Sequence, residues 1–163
     1  MPISSARRMN LIALAVLLTG LISFVAFHFL IFVDFRPDDD AIRGWQVWPE
    51  VWRFVRDPDF NQLEDLIATS ALFTSVLLTV ISPFAIPLFR SSRLAWWLAA
   101  IVSGAAMLGL TGVLLVNYVM EPSESEKPGA GFFCLVASQA LNFVGLLFVR
   151  RENEPELIAG GPP

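Results

Sequence analysis

Four stretches of this chain, residues 9–33, 66–89, 94–120 and 131–149, contain no aspartate, glutamate, lysine or arginine. They constrain the fold more than any other feature. A helix needs about 20 mostly apolar residues to cross a hydrocarbon layer roughly 30 Å thick. Backbone N–H and C=O groups find no water partners there, so such runs must be helical. Composition agrees. Hydrophobic residues make up 55% of the 163 and charged residues 16%, against about 25% charged in a typical soluble domain. The expected fold is an all-α membrane protein. A single domain over 1–163 forms an antiparallel four-transmembrane-helix bundle, with an outer loop at 34–65 and a tail at 150–163.

The first run is preceded by Arg7 and Arg8, as a signal peptide would be. Its apolar stretch is far longer than the 7–15 residues of a signal core and no small-residue cleavage site follows, so it reads as a retained anchor. Positive charge close to helix ends sets orientation. Arg7 and Arg8, Arg90 and Arg93, and Arg150 and Arg151 fall on one side of four alternating spans, against Arg36, Arg43, Arg53, Arg56 and Lys127 on the other. The raw counts are nearly even. The first six hug the helix ends, which predicts an integral protein of a bacterial inner or plasma membrane with both termini cytoplasmic. Trp96 and Trp97 near the inner boundary and Tyr118 near the outer one suit the interfacial aromatic belts.

Small or weakly polar residues recur at helical spacing in every span: Ala15, Thr19, Ser23 and Ala26; Ala68, Ala71, Ser75, Thr79 and Ser82; Ala105, Gly109 and Gly112, with Ala100 and Gly104 alongside; Cys134, Ser138, Asn142 and Gly145. Lipid offers no hydrophobic drive between helices, so close backbone approach and hydrogen bonds must hold them together. These stripes are the expected packing faces. Pro83 and Pro87 each remove a ladder donor near the end of the second run. They predict a kink or an early unwinding, and mark the candidate hinge.

The loop 34–65 holds seven Asp, two Glu and four Arg, a net charge of −5, yet three of the five tryptophans lie within residues 44–52. Its aromatic and aliphatic content argues against disorder. Ile42, Trp45, Trp48, Trp52 and Val55 are spaced as one apolar helical face. Pro49 favours two short helical pieces, with itself in the first turn of the second. Asp59 and Gln62 resemble a capping box opening the second span. The expected element is a short amphipathic helix at the outer membrane–water boundary, where an indole with an apolar body and a polar N–H is well placed. It either plugs the top of the bundle, anchors at the interface, or docks a partner through Trp45, Trp48, Trp52, Arg53 and Arg56, residue types enriched in interface hot spots. The Asp38–Asp40 run offers hard oxygens but lacks EF-hand spacing and reads as a solvated helix cap.

Most chemistries are missing. The one cysteine, Cys134, and the one histidine, His28, cannot complete a zinc site, nor can one histidine supply two axial haem ligands. His28 falls nearly opposite the Ala15–Thr19–Ser23 stripe, among Phe24, Ile31 and Phe32, which favours a packed residue over a proton sensor. The net charge of −4 argues against nucleic acid. No phosphate-binding or hydrolase motif appears, and no base neighbours a serine. No metal, cofactor or catalytic residue is therefore assigned. The leading expectation is a non-enzymatic accessory, scaffold or protective subunit, in contact with the bilayer and with another membrane or extracytoplasmic protein through its outer loop. The alternative is an intramembrane binding or transport unit for a small neutral or lipidic ligand, with His28, Asn117, Gln139 and Asn142 as polar contacts and Pro83 and Pro87 as the moving part.

Overall fold

The computed structural model describes residues 5–35, 41–56, 63–116 and 126–150. It is mostly helical. In chain order come α1 (Ser5–Phe29), β1 (Ile31–Phe35), β2 (Ile42–Arg43), a 3-10 turn (Gly44–Gln46), α2 (Val47–Arg56), α3 (Leu63–Ile81), α4 (Ile86–Ser91), α5 (Arg93–Leu115), β3 (Glu126–Pro128) and α6 (Ala130–Phe148). Among the described residues, three helices are long and apolar enough to cross a membrane: Arg7–Phe29, Arg93–Gly112 and Ala130–Phe148. They support a membrane protein. In α3 the charge-free part runs from residue 66 to Ile81.

Two expected boundaries move, each for a local reason. The first run does not stay helical to residue 33. Its last helical bond is Leu30 N–H to the Ala26 carbonyl, and Leu30 then accepts from Gly44 N–H at 3.1 Å. Ile31, Phe32 and Val33, β-branched and aromatic residues that favour a pleated surface, continue as a strand. The second run is interrupted. α3 stops at Ile81, a turn follows in which Ala85 N–H bonds the carbonyls of Ile81 and Ser82, and α4 restarts at Ile86. Pro83 is buried at this break, while Pro87 is exposed in the first turn of α4, a position that tolerates its missing N–H.

The strands were not anticipated by the all-α expectation. β1 lies between its two partners in a three-stranded antiparallel sheet. Ile31 pairs with Arg43 and Val33 with Ile42, with an irregularity between them, while Val33, Asp34 and Phe35 pair with Pro128, Lys127 and Glu126. Gly129 N–H adds a bond to the Phe32 carbonyl at 2.9 Å. The sheet thus ties the end of α1 to the start of α6. Among the described residues of the loop there are two helical pieces, as expected, but the first is shorter than the sequence suggests. Ile42 is in a strand, Gly44–Gln46 is a single tight turn closed by Arg43 N–H to Gln46 Oε1 at 2.7 Å, and α2 is the second piece, with Pro49 in its first turn.

α1 packs most extensively on α6, α3 on α5, and α5 on α6. The seam between α1 and α6 is close. A Cβ on Gly20 would meet the Ser138 carbonyl oxygen at 3.2 Å, and one on Gly145 would meet Leu17 Cδ2 at 2.7 Å. Two of the expected packing stripes are misplaced. On α1 the buried residues are Ala13, Leu17, Gly20, Phe24 and Phe27, whereas Ala15 and Thr19 are exposed. On α5 they are Ala99, Ala100, Ser103, Ala106 and Leu110, whereas Ala105 and Gly112 are exposed. Small size permits close approach but does not say which small residues are used: Ala13 and Gly20 on α1, and Ala99, Ala100, Ser103 and Ala106 on α5, hold the contacts together with Leu17, Phe24, Phe27 and Leu110. The stripes Ser75–Thr79–Ser82 and Ser138–Asn142–Gly145 are buried as expected. Two apolar clusters result. One, at the sheet end, holds Phe24, Phe27, Val51, Leu72, Ala106, Leu110 and Leu135. The other, at the opposite end, holds Ala13, Leu17, Ile86, Phe89, Ala99, Leu146 and Val149.

Candidate functional site: an aromatic cleft at the sheet end

At the sheet end α2 lies against α3, and the two enclose an open cleft of about 500 Å³ lined by Trp45, Trp48, Pro49, Val51, Trp52 and Phe73. That volume falls within the range of small-molecule and side-chain pockets. Its walls are almost wholly apolar. The predicted five-residue face of the loop is divided in building it. Val47, Trp48 and Val51 turn inward onto the apolar cluster of α1, α3, α5 and α6. Trp45, Trp52 and Val55 remain 53%, 56% and 49% exposed. The single face fails because Ile42 and Trp45 lie before α2, and within α2 the inward side is set by Val47, Trp48 and Val51, which leaves Trp52 and Val55 outside it.

Trp48 and His28 secure the element. The Trp48 indole N–H donates to His28 Nε2 at 2.9 Å, and His28 Nδ1 lies 2.9 Å from the Phe24 carbonyl oxygen one helical turn back. Since Nε2 accepts, Nδ1 carries the proton and donates, so the ring is the neutral Nδ1–H form. The two rings stack at 5.7 Å, and His28 also meets Phe24 and Phe27 edge-on at 4.7 and 5.0 Å. Both ring nitrogens are engaged inside the protein. His28 is thus a strut of this cluster and offers no lone pair to a ligand.

The last turn of α2 carries Arg53 and Arg56, both exposed. The Arg56 guanidinium carbon lies 5.7 Å from the Trp52 ring centroid, within cation–π range. The cleft therefore has an apolar floor, two exposed indoles and a cationic rim. It brings together Trp45, Trp48, Trp52 and Arg56. Phe73, from the second apolar run, was not singled out by sequence reading, although its place on a helix leading away from the tryptophan loop is a signal that a lipid-facing phenylalanine alone does not give.

The other candidates lie elsewhere. Gln139 and Asn142 are buried, each 1% exposed, at mid-helix in α6. Gln139 Nε2 donates to Thr79 Oγ1 at 3.4 Å and Asn142 Nδ2 to Ser103 Oγ at 3.1 Å. These bonds join α6 to α3 and α5. Neither the aromatic cleft nor the groove of about 320 Å³ between α3 and α5, lined by Ser70, Thr74, Ala105 and Gly109 among others, includes either amide. Asn117, the Asp38–Asp40 run, Tyr118, the Asp59–Gln62 pair and the tail from Arg151 onward lie outside the described residues. Trp96, at the arginine end, donates its indole N–H to the Leu146 carbonyl at 2.8 Å, and Arg150 N–H bonds Asn10 Oδ1 at 2.8 Å. Comparison with protein-family models, curated proteins and solved structures gives no match.

Proposed function

We propose that this chain is a small, non-enzymatic four-span membrane protein that serves as an accessory or scaffold subunit, docking another membrane protein at its aromatic cleft. Support for membrane placement comes from an inverted surface. Ile22, Phe29, Leu94 and Leu108 are each about 70% exposed, while Ser75, Thr79, Ser103, Gln139 and Asn142 are among the most deeply buried side chains. Water would expel the first set, whereas lipid accepts it. Support for cytoplasmic termini comes from the arginines. Arg7, Arg8, Arg90, Arg93 and Arg150 lie on the helix ends around the second apolar cluster, away from the sheet, as the positive-inside rule requires.

The observation that carries the docking role is the exposure of Trp45 and Trp52 beside a formed apolar cleft, on an element that Trp48 already secures. A loop that only plugged the helices would turn all three indoles inward. The bilayer edge accommodates two exposed indoles, and a neighbouring membrane protein supplies the apolar side chain that fills the space between them. The test replaces Trp52 with a photo-crosslinking phenylalanine analogue and irradiates intact membranes. A protein adduct of discrete mass is expected, and the Trp45→Ala substitution in the same chain should reduce its yield about tenfold, the loss of one good anchor. Adducts with lipid alone, or a protein adduct indifferent to Trp45, overturn the docking role and leave an interfacial anchor.

A further inference from the structure

Between α3, α5 and α6 the interior is polar, although everything around it is apolar. Gln139 and Asn142 each point a nitrogen at a hydroxyl on a facing helix, Thr79 and Ser103. Their oxygens are left over. Gln139 Oε1 and Asn142 Oδ1 are buried without a partner, as are the hydroxyls of Ser75, Ser82 and Ser138. Ser75, Thr79 and Ser82 follow at steps of four and three, and so span about two turns, or roughly 10 Å. Ser138 and Asn142 are likewise one turn apart on α6. Pro83 adds to the deficit, because it has no N–H to close the helical bond onto the Thr79 carbonyl.

A buried acceptor without a donor carries its full desolvation penalty, so these atoms require a guest. The guest must donate, because amide oxygens only accept. It must also accept, because each serine hydroxyl has a hydrogen to place. It must be small, because Ser75, Thr79, Ser82, Ser103, Ser138, Gln139 and Asn142 are all 1% exposed or less. A metal ion satisfies the oxygens but not the hydroxyl hydrogens. The residues of the layer include no carboxylate, so its charge would lie uncompensated in a medium that solvates ions poorly. We propose that this layer is a binding site for water, a short file of ordered molecules donating to Gln139 Oε1 and Asn142 Oδ1 and accepting from the serines. Water typically makes about three such bonds in a buried site. The proposal is independent of the docking role.

The test is solid-state NMR of the full-length protein in bilayers, following magnetisation from water protons to side chains. Leu135 and Leu146 on the same helix, 1% and 0% exposed, serve as the dry reference. Transfer to the Gln139 and Asn142 amides and to Ser138 is expected to build up about threefold or more faster than to those leucines, as for groups in contact with bound water. Equal build-up overturns the proposal. Replacing sodium by choline is expected to leave the two amide signals in place, and a shift that follows sodium would assign the site to a cation instead. Both readouts use the unmodified chain, so neither depends on a variant folding.

Discussion

Trp48 and His28 show how one side chain's role is decided by a partner far along the chain. By spacing alone Trp45, Trp48 and Trp52 are equivalent. The difference is that a histidine 20 residues earlier sits where it can accept the Trp48 N–H. Trp48→Phe keeps an aromatic body but removes the donor, leaving His28 Nε2, part-buried, without this partner. The expected loss is about 1 kcal/mol, the usual net value of such a bond, read as a lowered midpoint of thermal unfolding in detergent. Trp45→Ala, at a half-exposed position, should leave the midpoint within about 0.5 kcal/mol of the unmodified protein. Equal losses at 45 and 48 would mean that the indole–imidazole bond does not hold α2 in place. The residue types at this site were legible in the sequence, but not which indole faces inward, because that depends on where β1 and the tight turn at residue 44 redirect the chain.

Local covalent constraints were the easiest to read. Pro83 and Pro87 announce the break in the second apolar run because proline removes its own donor wherever it stands. The sheet was illegible for the opposite reason. β1 has the composition of a continuing apolar helix, and it is extended because β2 and β3 arrive beside it from 11 and roughly 95 residues later. Gly44 exposes how tight that arrangement is. A Cβ there would collide with the backbone carbonyl of Phe27, whereas one on Gly112 of α5 would meet nothing within 4 Å. Gly44→Ala therefore forces the end of α1 away from the turn, with an expected loss of about 1–3 kcal/mol, typical of overpacking against a rigid neighbour. Gly112→Ala should be neutral or raise stability by up to about 1 kcal/mol through helix propensity. Scanning fluorimetry of the two variants side by side checks the pair. A tolerated Gly44→Ala would mean that the turn does not sit against α1.

At the scale of the whole molecule, the sheet bears on the number of crossings proposed above. β1 directly follows α1, β3 directly precedes α6, and the two are paired antiparallel. If the helices cross as proposed, the chain between them leaves and returns on one side of the membrane and crosses an even number of times. In that reading α5 is one crossing and α3 with α4 is the other, the charge-free residues 66–81 of α3 being about 24 Å long. The six residues of α4 supply the remaining thickness. Hydropathy suggests four crossings because charge-free length is a property of the chain alone. It could not say that one crossing is a broken helix, or which faces meet, because exposed and buried faces are equally apolar in lipid. Four crossings put Ser91 on the side of the termini and Lys127 on the side of the sheet. In a Cys134→Ser background, Lys127→Cys should react with a membrane-impermeant maleimide in intact cells, and Ser91→Cys only after permeabilisation. Labelling of Ser91→Cys from outside would mean that α3 and α4 do not cross, and β1 and β3 could then pair only if α5 did not cross either.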